Sequence, residues 1–89
     1  MSVYTVFTSA PNPTLIANIG AKYPNGESLQ FTPTIWFVSD KDVTAAQVCE
    51  KLGIGEGGIV GAVVTRIDSY FGNATNALWQ WLRLKGVSP

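Results

Sequence analysis

The chain has 89 residues, of which 46% are hydrophobic and only 13% are charged, and six basic residues balance six acidic ones. This length suits a single domain, residues 1–89, with a thin core. A net charge of zero with scattered basic residues disfavours nucleic acid as a partner, because neutralised phosphates supply most of that affinity. A basic patch that forms only after folding stays open. Low charge with high apolar content favours a surface buried against another chain.

The residue types that catalysis and metal binding need are scarce. The chain has no histidine, which excludes an imidazole base, a Ser-His-Asp triad and a histidine-based zinc site. The single cysteine, Cys49, cannot form an internal disulfide, and we interpret it as a small buried apolar residue. Asp40 and Asp42 flank a helix start and suit a turn better than a cation site. We therefore expect no cofactor and lean against an enzyme.

The first strand and helix have clear local signals. Val3–Thr8 is β-branched and aromatic, with apolar residues on both faces, which predicts a central strand. Asn12 is a good N-cap, and Pro13 suits the first helical position. The helix is expected to end at Pro24-Asn25-Gly26, and Gly20 within it suggests close packing on a sheet.

Two strands follow this helix. Thr32-Pro33 separates Ser28–Phe31 from Thr34–Ser39. Because proline cannot donate to a central ladder, the first of them is predicted to be an edge strand. The second is apolar on both faces and is predicted to be central.

The second helix and its exit are also well marked. Thr44 and Gln47 form a capping-box pattern, and the helix is expected to reach Leu52, with Gly53 as the left-handed residue that ends it. The glycine-rich segment 53–58 follows a helix and precedes a strand, the reverse of a phosphate-binding loop. We interpret it as a connector.

The remaining elements complete a recognisable order. A strand is predicted over Ile59–Ile67, and a third helix is predicted between a cap at Asn73 and Gly86. The order predicts an α+β two-layer sandwich, a ferredoxin-like β-α-β-β-α-β unit with a four-stranded antiparallel sheet plus a C-terminal helix. Two helices on one face leave the other bare, so the third helix or a second subunit is expected to cover it.

Six residues are candidates for interface or ligand contacts. Trp36 is expected to pack in the core or at a subunit interface. Trp79 is the best candidate for an exposed contact, because it lies off the apolar stripe of its helix. Arg66 either holds an anion or pairs with Asp68 at the surface. The other candidates are Thr8, Ser9 and Tyr70.

The pattern resembles a group of small ferredoxin-like proteins, the CRISPR-associated endoribonuclease-like subunit and the VapD-type toxins. The residues that carry the resemblance are the strand Val3–Phe7, the strand Thr34–Val38, the helix from Thr44 with Val48 and Leu52, the strand Ile59–Ile67 with Tyr70 and Gly72, and the helix residues Leu78–Leu82.

The resemblance implies a homodimer but argues against nuclease activity. In the nuclease-like members an aspartate closes the first strand, and two such aspartates hold a metal ion across the dimer. Here the strand ends in Phe7-Thr8-Ser9, whose hydroxyls are poor ligands for a hard cation.

Our leading hypothesis is a non-catalytic dimeric interaction or regulatory module. One alternative is a degenerate nuclease-like protein of the same fold that binds nucleic acid. Another is a small-ligand regulatory domain, with the ligand held between subunits near Ser9 and Arg66. The N-terminal residues show no basic leader and no long apolar run, so we expect a cytoplasmic protein without membrane association.

Overall fold

The computed structural model describes residues 2–69 and 76–86. Its strands are β1 (Ser2–Thr8), β2 (Ser28–Thr32), β3 (Ile35–Asp40) and β4 (Ala62–Ile67), and its helices are α1 (Pro13–Lys22), α2 (Ala45–Leu52) and α3 (Asn76–Leu84). The strands form one antiparallel sheet in the order β2-β3-β1-β4. This order confirms the predicted α+β sandwich with ferredoxin-like topology, in which β1 and β3 are central.

The predicted starts of α1 and α2 and the end of α2 are confirmed by their capping contacts. The Asn12 side chain accepts a hydrogen bond from the Leu15 N–H at 3.0 Å. Thr44 and Gln47 form both hydrogen bonds of the capping box, and Gly53 ends α2 with a φ of 76°. The expectation of close packing at Gly20 is wrong, because Gly20 is exposed and no atom lies within 4 Å of where its Cβ would be.

The main core lies between the sheet and helices α1 and α2. Side chains of β1 at alternate positions point into it, because successive strand residues face opposite sides. Tyr4 is fully buried there, and its hydroxyl shares its one proton between the carbonyls of Lys41 and Val43 and accepts a hydrogen bond from the Val43 N–H. The other buried members are Val6, Leu15, Ile19, Tyr23, Val38, Val48, Leu52, Ile59 and Val64.

Helix α3 packs on the opposite face of the sheet. Leu78 and Leu82 are buried against Val3, and Leu29, Phe37 and Ile67 surround them. The indole N–H of Trp81 donates to the Gly26 carbonyl at 2.9 Å, which ties α3 to the α1–β2 turn. The third helix therefore covers the half of this face that lies at the start of β1.

The last strand begins three residues later than predicted. Ile59, the predicted first residue, pairs instead with Ile54 in an isolated bridge, and its N–H donates to the Gly53 carbonyl at 2.9 Å. Gly61 then adopts a φ of 75°, so the chain turns there before it extends at Ala62. The predicted cap at Asn73 lies outside the described residues.

Candidate functional site: the open half of the sheet

One half of the α3-bearing face is not covered by a described helix. We call the side chains of Phe7, Phe31, Ile35 and Val63 the open half. Phe7 lies opposite both Ile35 and Val63 in the strand register, so three neighbouring strands contribute side by side. Phe7, Phe31 and Val63 are 38%, 41% and 50% exposed. The Phe31 ring packs edge-on against Phe37 with 6.0 Å between centroids, which links the open half to the part under α3.

The strand positions on this face carry no charge. Alternation of side chains places hydroxyl and apolar residues there, while the neighbouring positions point towards α1 and α2. A face of this kind can lose its water without leaving an unpaired charge behind. The residues on it are Val3, Thr5, Phe7, Leu29, Phe31, Thr32, Ile35, Phe37, Ser39, Val63, Thr65 and Ile67.

Thr8 and Ser9 lie at the border of the open half. The Thr8 hydroxyl donates to the Ala10 carbonyl at 2.7 Å, and the Ser9 N–H donates to the Gly61 carbonyl at 2.9 Å. These hydrogen bonds fix the conformation of the chain where β1 ends. Within residues 2–69 and 76–86, no group of three or more Cys, Asp or Glu side chains is placed to hold a metal ion.

Arg66 pairs with an acidic partner other than the predicted one. Its Nη2 lies 3.3 Å from the Asp42 carboxylate, and the pair is exposed. The expected partner was Asp68. Arg66 sits on the α1/α2 side of β4, opposite Tyr4, and the turn after β3 passes on that side. The hydrogen bond from Ser2, with the charge of Arg66, lowers the pKa of Asp42.

Ser9 and Arg66 are not brought together within one chain. Thr8 pairs with Ala62, four residues before Arg66, which is about 13 Å of strand. A ligand shorter than this distance would therefore have to contact Ser9 and Arg66 of different copies. Tyr70, the residue expected near Arg66, lies outside the described residues.

The two candidate tryptophans are both partly buried. Trp36 points towards α1 and α2 and packs against the main core, and its indole N–H is buried with no hydrogen-bond partner among the described residues. Trp79 packs against the cluster of Val3, Leu78 and Leu82 beneath α3. Neither residue belongs to the open half.

A polar cluster that sequence patterns did not reveal lies at the opposite end of β3. The buried Asp40 carboxylate accepts hydrogen bonds from the Tyr23 hydroxyl at 2.8 Å, from Lys51 Nζ at 2.7 Å and from the Lys41 N–H at 2.7 Å. Burial alone would raise the pKa of Asp40, but these three hydrogen bonds outweigh it and lower the pKa. Burial and the Asp40 carboxylate raise the pKa of Tyr23. A carboxylate held by three donors is a structural anchor rather than a proton-transfer group.

Several basic side chains are engaged within the chain. Lys51 and Arg66 form ion pairs, and the Lys85 ammonium lies 5.6 Å from the centre of the Trp81 ring. Cys49 packs against the main core, where burial raises the pKa of its thiol. A raised pKa disfavours the reactive thiolate, which agrees with an inert cysteine.

Comparison with known proteins gives no match to a family model, to a curated protein or to a solved structure. The resemblance to the CRISPR-associated and VapD-type proteins therefore stays a prediction. Among the helices that the structure describes, none has the length and apolar content needed to cross a lipid bilayer.

Proposed function

We propose that this protein is a non-catalytic interaction module that forms a homodimer through the open half of its sheet. The observation that carries the proposal is the adjacent exposure of Phe7, Phe31 and Val63 on a face whose strand positions are all uncharged. Adjacent exposed apolar side chains on a small domain mark a surface that another molecule covers.

A second copy suits this surface for electrostatic reasons. A twofold interface uses the same patch on both subunits, so a patch with charges of one sign would meet charges of the same sign. The strand positions of the open half carry no charge, and the chain as a whole has a net charge of zero. Two copies can therefore approach without repulsion. Nucleic acid, by contrast, would need cations on the surface that it contacts.

The size of the open half predicts a weak dimer. Stable interfaces bury about 800 Å² on each partner. The three exposed side chains, the partly buried Ile35 and the residues around them offer less than that. We therefore expect association in the micromolar range, which suits a module whose partner exchange can be regulated.

Sedimentation of a matched pair of variants tests this proposal. Phe7→Lys places a charge within the open half. Val60→Lys places the same charge on a residue that is 72% exposed and lines a separate cleft with Asn12 and Thr14. We expect Phe7→Lys to weaken association through the open half at least tenfold, so that its assemblies are smaller than those of the wild type, and Val60→Lys to leave assembly size unchanged.

Two outcomes would contradict the proposal. One is a wild-type chain that remains monomeric at high micromolar concentration. The other is a Phe7→Lys variant that associates like the wild type although its thermal unfolding shows a folded domain.

A further inference from the structure

The two edges of the sheet differ in how they are protected against pairing with another strand. At the β2 edge the register shifts between Gln30 and Thr32, and Pro33 follows at once. Bulges and prolines are devices that block edge pairing. The β4 edge has neither. Its register with β1 runs without a break from Ala62 to Ile67, and the strand contains no proline, glycine or lysine.

The direction of the β4 backbone groups follows from one hydrogen bond. The Ser9 N–H donates to the Gly61 carbonyl, so the odd-numbered residues of β1 direct their backbone groups towards β4. Their partners are therefore the odd-numbered residues of β4. Ala62, Val64 and Arg66 direct their N–H and C=O groups away from β1. In the described parts of the chain, no hydrogen bond is made to these outward groups.

We propose that β4 pairs antiparallel with β4 of a second copy, with the two Val64 residues opposite each other. This edge interface uses the outward backbone groups of β4, whereas the open half uses side chains on one face of the sheet. In this register Ala62 and Arg66 of one copy lie opposite Arg66 and Ala62 of the other. Each pair of facing residues whose backbone groups point outwards exchanges two hydrogen bonds, as in any antiparallel ladder.

Charge and side-chain shape favour a second copy as the occupant of this edge. The register keeps the two Arg66 side chains apart, each opposite an alanine, so no like charges meet across the strands. On the face that carries the open half, Val63 lies opposite Thr65 of the other copy, and β-branched pairs of this kind stabilise a ladder.

The helical layer leaves room for this pairing. Strands lie about 4.8 Å apart, and a helix is about 10 Å wide. Two helices thus cover four strands, and the helices of two copies fit side by side over a sheet of eight. The rotation axis stands perpendicular to the sheet, so both open halves lie on one side and remain free to pair. Two such twofold interfaces with axes that cross at right angles would close an assembly of four chains.

The edge interface is tested in a Phe7→Lys background, where the open half is blocked. Arg66→Pro removes the outward N–H while breaking no bond to β1, and proline is tolerated in an edge strand when its missing N–H faces outwards. Arg66→Ala is the matched control, because both variants lose the ion pair with Asp42.

We expect the Phe7→Lys chain to sediment as a dimer at high micromolar concentration. The Phe7→Lys/Arg66→Ala chain should also sediment as a dimer. The Phe7→Lys/Arg66→Pro chain should sediment as a monomer. A monomeric Phe7→Lys chain would overturn the edge interface and leave the open-half dimer standing. The edge interface would also be overturned if the Arg66→Pro derivative dimerised as strongly as the Arg66→Ala derivative.

Amide exchange of the wild-type chain gives a second test that depends on no substitution. We expect the N–H groups of Ala62, Val64 and Arg66 to exchange at least tenfold more slowly in concentrated than in dilute solution. Equal exchange rates at the two concentrations would overturn the edge interface. If exchange slowed only at residues around Phe7, the edge interface would also be overturned, and the open-half dimer would be supported.

Discussion

The Tyr23 hydroxyl donates a hydrogen bond to the Asp40 carboxylate at 2.8 Å, and both side chains are buried. Tyr23 follows the last turn of α1, whereas Asp40 closes β3. Lys51, in the last turn of α2, reaches the same carboxylate at 2.7 Å. One acidic residue thus connects both helices of the main layer to the sheet.

Replacing Tyr23 by Phe is expected to lower the free energy of unfolding by about 1.5–3 kcal/mol, because it removes a hydrogen bond to a buried charged group. Urea unfolding at neutral pH measures this loss. Asp40→Asn provides the control background, since a neutral amide accepts a weaker bond. In the Asp40→Asn background, Tyr23→Phe should lower the free energy of unfolding by about half as much. Equal costs in both backgrounds would show that the Tyr23–Asp40 bond does not carry the effect.

Acid should destabilise the protein through Asp40. Its pKa is lower in the folded state than in the unfolded chain, so its stabilising contribution is complete above the unfolded pKa of about 4. That contribution is lost as the pH falls through the lower folded value. We expect Asp40→Asn to flatten the fall in unfolding free energy below about pH 5. Part of the dependence of unfolding free energy on pH should remain in this variant, because the pKa of Asp42 is also lowered. Parallel curves for variant and wild type would contradict this expectation.

Helix α3 should stabilise the fold through one side of its surface. Leu82 is 1% exposed and Leu84 is 83% exposed, although they are two residues apart. Leu82→Ala is expected to lower the unfolding free energy by about 2–5 kcal/mol, because it leaves a cavity beneath the helix. Leu84→Ala should change it by less than about 0.5 kcal/mol. Comparable losses in the two variants, measured by chemical denaturation, would argue against this placement of α3.

Two glycines should respond to alanine with opposite signs. Gly20 lies exposed within α1 with open space around it, so alanine should stabilise the fold by about 0.5–1 kcal/mol. Gly53 ends α2 with a φ of 76°, where an L side chain is strained, so alanine should destabilise it by about 1–2 kcal/mol. Thermal unfolding of both variants measures the signs. A loss of stability in Gly20→Ala would indicate a contact that the structure does not contain.

Local signals in the sequence were enough for most of the scaffold. Asn12 and Thr44 predict their helix starts because a cap depends only on residues three positions away. The strand order followed from right-handed crossovers between these elements. The start of β4 was missed because Gly61 introduces a turn within an otherwise apolar run.

The candidate site was harder to predict, because it depends on packing between distant elements. Apolar residues on both faces of β1 implied two covered sides, but they could not show that α3 stops short of Phe7. The partner of Arg66 was missed for a related reason. Asp42 lies 24 positions away in sequence and reaches Arg66 only after the sheet forms.

Hydrogen bonds between the Tyr4 hydroxyl and the backbone of Lys41 and Val43 hold the turn after β3 against the core. Insertions or chain breaks are therefore not expected to be tolerated in this turn. An inserted domain or a new pair of termini at Asp42 would pull this turn away from the core, so such variants should fail to fold. The exposed glycines at positions 55, 57 and 58 form a loop tip of the kind that accepts insertions. A reporter domain fused there would leave both the open half and the outer edge of β4 accessible.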